Sequence, residues 1–215
     1  MRRAPDATLL VISDHGFARF DRAVNLNTWL YREGYLALDS PASLGQGEMF
    51  AHVDWSRTRA YALGINAIYL NLAGRERWGI VPAAERDRLA AEIAGRLQGL
   101  RDPLNGKLVL AKVYRAREVY HGAALDSAPD LIAGWADGYR TSWQSALGAV
   151  PPTEIEDNRD EWRGDHCIAA DLVPGVFLSN RKGRIGQLWL GDVTVTLLHE
   201  FGVRPAEGMR GRAIF

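Results

Sequence analysis

The sequence has little of what marks a specialised class. A single cysteine among 215 residues, Cys167, can close no internal disulfide and leaves no cysteine pair for a structural zinc. Neither sign of charge dominates: 26 Lys+Arg balance 26 Asp+Glu, which removes any general pull on nucleic acid or anionic lipid. No apolar stretch approaches the roughly 20 residues of a membrane span. The apolar run after Asp6 stops at Asp14, too short and without the small-residue cleavage site of a signal peptide. A cytoplasmic protein with no nucleic-acid and no membrane partner is expected. There is no internal repeat, P-loop, G-x-S-x-G elbow or H-E-x-x-H. Gly45-Gln46-Gly47 does not extend to a dinucleotide fingerprint, because Phe50 stands where the third glycine belongs. What remains is ordinary globular composition, 47% hydrophobic and 24% charged, at a length for one domain or one domain with an insertion.

Thr8 to Ile12 is continuously apolar and partly β-branched, which predicts a strand buried on both faces of a helix-covered parallel sheet. Asn25 to Gly34 predicts a short helix with Leu26, Trp29 and Leu30 on one face. Pro41 to Glu48 reads as a loop. Thr58–Ala62 and Ala67–Asn71 are strand candidates. The clearest helix runs from Pro82 to about Leu100 on the stripe Leu89, Ile93, Leu97, Leu100. Leu108–Tyr114 and Asp130–Ala133 are further strands, Thr153–Asp165 is loop-like, and Val173–Leu178 is a second core run. A helix with Asp192 as N-cap closes the chain. Strand and helix at each end suggest an α/β fold in a single domain, 1–215, with its core in 1–40 and 151–215 and an insertion over about 41–150.

The sharpest chemical feature is Ser13-Asp14-His15-Gly16 at the end of the first strand. Ligands in open α/β sheets bind beyond the carboxyl ends of strands. A carboxylate and an imidazole converging there make a ligand pair for Zn²⁺ or Mn²⁺. The competing interpretation has Asp14 cap the following turn and leaves His15 on the surface. A second pair, Asp165-His166, precedes the other core run and could supply a distant ligand to the same site. Cys167 beside it is a ligand, a nucleophile or simple packing. His52, His121 and His199 read as structural.

Val11-Ile12-Ser13-Asp14-His15-Gly16-Phe17 resembles the Ser-Asp-His-Gly signature of the alkaline phosphatase superfamily. The resemblance is to its type I phosphodiesterase/nucleotide pyrophosphatase-like branch, which groups phosphohydrolases and phosphomutases. Asp54–Tyr61, Ala128–Leu131, Trp162–Cys167, Val173–Val176 and the ending from Gly191-Asp192 to Arg212 fit the same branch in the same order. The resemblance implies an alkaline-phosphatase-like parallel-sheet sandwich with an inserted α+β cap segment. It implies two divalent metals, usually zinc with manganese as an alternative, with Asp14 and His15 on one and His166 on the other. Such a pair clamps the attacking and leaving oxygens of a phosphoryl transfer, and a metal-bound Thr or Ser forms a covalent phospho-enzyme. The substrate would be a phosphate-ester small molecule.

The family's nucleophile and remaining ligands lie upstream of this signature, and none of the 13 residues before Asp14 fits those roles. The resemblance is thus to the C-terminal half of such an enzyme: a truncated gene product, half of a split gene, or a remnant. An N-terminal half-protein is an expected partner, and the chain alone is expected to be inactive, with one flank of Thr8–Ile12 exposed. A non-catalytic binding or regulatory subunit and a phosphomutase are the alternatives.

Overall fold

The computed structural model describes residues 7–184 and 186–215. Its elements run β1 (Leu10–Ile12), β2 (Ala18–Val24), α1 (Leu26–Arg32), β3 (Ala60–Ala62), β4 (Ala67–Leu70), α2 (Arg86–Gln98), β5 (Leu110–Arg115) and α3 (Ala116–Val119). They continue with β6 (Leu131–Trp135), β7 (Gly138–Thr141), α4 (Trp143–Ala146), β8 (Ile155–Asp157), β9 (Gly164–Asp165), β10 (Phe177–Ser179) and α5 (Leu190–Glu200). The fold is mixed α/β, with several small sheets and few helices. No helix among the described residues is long and apolar enough to cross a membrane. The chain divides into two compact units, residues 17–173 and residues 1–16 with 174–215.

In the larger unit, β3-β4-β6-β5 forms an antiparallel sheet. Its inner face carries Ala60, Ala62, Ile68, Leu70, Leu131 and Ala133, all fully buried, and Leu89, Ile93 and Leu97 of α2 join the same core. Those three follow the helical stripe expected from the sequence. A 3₁₀ turn over Ala83–Glu85 precedes α2, so the α-helix starts four residues after Pro82. Buried Asp130 ties the layers together: it accepts from the Leu70 backbone (2.7 Å), Arg75 Nη2 (2.7 Å) and Arg86 Nε (2.6 Å).

The second sheet is built on β2, which pairs parallel with β7. β8 and β9 pair antiparallel with successive stretches of β2. β2 does not read as a strand in the sequence because Arg19, Asp21 and Arg22 break its apolar pattern. Arg22 is nonetheless held inside by fully buried Asp102, at 2.8 and 3.0 Å. Thr153–Asp165, expected as loop, contains β8 and β9.

In the smaller unit, β1 pairs antiparallel with β10, Val11 facing Leu178. This corrects the expectation of a parallel strand covered on both faces: Leu9, Val11 and Ile12 are all exposed, Val11 by 49%. The exposed flank expected of this strand is there. The second core run is likewise split, with Val173 buried but Val176 and Leu178 exposed. In the last helix Trp189, not Asp192, is the N-cap. Asp192 lies inside the first turn, where its carboxylate accepts from the backbone N–H groups of Trp189 (3.1 Å) and Arg212 (2.7 Å) and from Arg184 Nη2 (2.7 Å).

Candidate metal centre

Asp14 and His15 follow β1 in the smaller unit. The Ser13 hydroxyl accepts from the Val176 N–H at 2.9 Å, and the Ser13 N–H donates to the Val176 carbonyl at 2.9 Å. Ser13 is therefore engaged in holding the chain beside β10. Gly175 permits this approach, since a Cβ there would lie 2.4 Å from the Ser13 carbonyl oxygen. Beyond Ser13 the backbone turns, and Asp14 Oδ1 accepts from the His15 N–H at 3.1 Å.

His15 Nδ1 lies 2.9 Å from the Gly16 carbonyl oxygen. A carbonyl only accepts, so Nδ1 is the donor in this contact, the tautomer that leaves Nε2 as the metal-facing nitrogen. That is the orienting contact usual behind a metal-binding imidazole. Nε2 lies 3.6 Å from Asp14 Oδ2, whose side chain is 68% exposed. Two donors about 2.0–2.1 Å from one tetrahedral zinc stand roughly 3.3 Å apart. The pair thus fits a shared divalent ion after a shift of a few tenths of an ångström.

His166 follows β9 in the larger unit, in a cluster with Asp165 and Cys167 whose donor atoms lie within 4.8 Å of one another. The three are not equivalent. Asp165 Oδ1 accepts from the His166 N–H (2.7 Å) and the Cys167 N–H (2.9 Å), and Oδ2 lies 2.5 Å from Arg140 Nε. The guanidinium meets that oxygen out of line with its N–H, so the contact is ionic without a completed hydrogen bond. Burial by itself would raise the Asp165 pKa. The Cys167 backbone and thiol, the Arg140 charge and the His166 N–H outweigh it and hold the carboxyl below its usual range. Burial and the same carboxylate push the Cys167 thiol up to about 11 in the metal-free protein, so a cation bound by its sulfur would have to displace the thiol proton. Of the three, the His166 imidazole is the donor best placed for a cation. It is 45% exposed and meets the Phe17 ring edge-on at 5.8 Å.

An open hollow of about 510 Å³ lies next to Phe17, lined also by Arg19, Asp137, Arg163 and Leu172. Arg19 is engaged by Asp137 at 2.7 Å, and Arg163 Nη1 donates to the Asn158 carbonyl at 2.6 Å. Arg140 is absent from the sequence reading of the site. An arginine in a four-residue strand carries no signal by itself, and its role depends on β7 and β9 both pairing with β2.

The profile of the family described as "Type I phosphodiesterase / nucleotide pyrophosphatase" matches residues 2–166, a stretch that holds Asp14, His15 and His166. The chain belongs to this family. The membership suggests activity of the phosphodiesterase/nucleotide pyrophosphatase type and is consistent with the alkaline phosphatase superfamily. No curated protein and no solved structure matches the chain.

Proposed function

We propose that this type I phosphodiesterase family member is part of a metal-dependent phosphoryl-ester hydrolase. In this reading Asp14 and His15 hold one divalent cation and His166 is a ligand to another, with zinc or manganese as the ion and a small phosphate ester as substrate. The observation that carries it is the Asp14–His15 arrangement, where the Gly16 carbonyl fixes the ring and two donors stand 3.6 Å apart. Bound there, a divalent cation supplies charge to neutralise the phosphoryl oxygens. The chain's own part is to fix the imidazole tautomer through Gly16 and to present the Asp14 carboxylate outward. Membership also supports, as a proposal, an alkaline-phosphatase-like sandwich capped by the 41–150 segment.

Two catalytic zinc ions ask for about six protein ligands, and this reading assigns three residues. The Ser13 hydroxyl accepts from the Val176 N–H and is given no nucleophilic role in this reading. Turnover therefore requires ligands and an attacking group supplied by another polypeptide segment. The experiment is to add Zn²⁺ or Mn²⁺ to the 215-residue chain, measure metal binding calorimetrically and follow hydrolysis of bis(p-nitrophenyl) phosphate. Weak metal binding that falls in His15→Ala, with no turnover, is expected. Metal-dependent turnover by this chain alone, lost in His15→Ala and His166→Ala, would overturn the view that the site needs further groups. Metal binding unchanged in both variants would overturn the metal assignment itself.

A further inference from the structure

We infer that Arg140 is a positioning residue for His166, acting through the Asp165 carboxylate; this rests on the proposed role of His166 as a metal ligand. Arg140 is 1% exposed. It sits on β7, opposite Ala23 of β2, while Asp165 sits on β9 opposite Ala18 of the same strand. The two side chains meet across β2, over the Phe20 ring, whose centroid is 5.1 Å from the guanidinium carbon. Trp143 lies against the guanidinium at 4.0 Å. The guanidinium is thus packed against two rings, with Nε beside one oxygen of Asp165 in ionic contact.

This contact matters because of what the other oxygen does. Oδ1 accepts from two consecutive backbone N–H groups, those of His166 and Cys167. A carboxylate bridging successive N–H groups fixes the turn that bears them. With Oδ2 held by Arg140, the carboxylate cannot rotate away, and the His166 backbone is set relative to the β2 sheet. The imidazole, 45% exposed, has its Nδ1 3.6 Å from the same Oδ1. Of the donor cluster, Asp165 is therefore the support and His166 the ligand: a cation drawn to Oδ2 would meet the Arg140 charge. Partners that orient a ligand from behind commonly contribute 10–100-fold to metal affinity.

The test uses the full 215-residue chain with Arg140→Met, Asp165→Asn and His166→Ala. Asp130→Asn serves as a control, because Asp130 is an equally buried acid held by two arginines in the same unit. Zinc affinity is read by competition with a chromophoric chelator. The His166 ring resonances are read by NMR in the metal-free protein and identified by their loss in His166→Ala. Arg140→Met is expected to weaken the His166-dependent zinc binding about tenfold or more and to shift and broaden the His166 ring signals. Asp165→Asn keeps an acceptor for the two N–H groups and should do the same to a smaller degree; it carries the test if Arg140→Met does not fold. Asp130→Asn should lower thermal stability and leave both readouts in place. Unmoved His166 signals and unchanged zinc affinity in Arg140→Met and Asp165→Asn would overturn the inference, as would equal losses in Asp130→Asn. If His166→Ala itself leaves zinc binding unchanged, the ligand role falls, and the ring signals alone then decide whether Arg140 positions His166.

Discussion

The chain contains the dipeptide Asp-His twice, and the two copies use the same local bond for different ends. In each, the aspartate Oδ1 accepts from the N–H of its own histidine, at 3.1 Å for Asp14 and 2.7 Å for Asp165. In each, a histidine ring nitrogen stands 3.6 Å from a carboxylate oxygen. The difference lies in what surrounds the acid. The Asp14 side chain is 68% exposed, so its carboxylate is presented to solvent as a donor. That of Asp165 is 6% exposed and set against Arg140, so its carboxylate is a strut. A motif fixes the turn, and burial decides whether the carboxylate faces solvent or a buried counter-charge.

Truncation should separate the copies most widely. Asp165→Ala leaves a buried guanidinium without its counter-charge, which costs about 3–5 kcal/mol and should lower the denaturation midpoint sharply. Asp14→Ala should change stability by no more than about 0.5 kcal/mol while reducing zinc affinity. Urea titrations of the two variants make the comparison, and equal destabilisation would break it. A smaller effect is expected from Gly175→Ala. Its methyl group would collide with the Ser13 carbonyl, and overpacking of this kind costs about 1–3 kcal/mol. The shifted backbone should also weaken metal binding at Asp14 and His15 without touching the His166 signals, a selectivity that NMR of the zinc-titrated variant would check.

The mildest test is acid. The Asp165 carboxyl lies below its usual range when folded, so its contribution is present in full above the unfolded value of about 3.9. It is lost as pH falls from there through the folded value. The stability gap between the native chain and Asp165→Asn should therefore be constant from about pH 5 to 7 and close below about pH 4. A gap that persists to pH 2 would mean that the carboxylate's charge is not what stabilises the turn.

How much of this the sequence shows depends on how local each cause is. The α2 stripe and the Asn25–Gly34 helix are patterns within one segment, and the structure holds both within a few residues. Ser13-Asp14-His15-Gly16 is legible for the same reason, since its turn, its tautomer and its donor spacing arise from neighbours in the chain. β2 is hidden because its charged residues are accommodated by distant partners such as Asp102. Arg140 is hidden because its meaning comes from two strands pairing with β2 in the right register. The expected burial of Thr8–Ile12 failed for a related reason: an apolar run reports what could be covered, and only tertiary structure reports what is.

The three-residue β1–β10 ladder that carries the Asp14–His15 turn has a kinetic consequence. Two short strands with exposed apolar side chains are marginal as a structure on their own and open at little free-energy cost. The amide protons of Leu10 to Ile12 should accordingly exchange with solvent deuterium well before those of β6, which lies between β4 and β5. A ligand of Asp14 and His15 whose binding also leans on the Ser13–Val176 contacts favours the closed ladder and should slow exchange in β1 and β10. The exposed strand that makes this unit the weaker one is thus where the proposed binding would be read as added order.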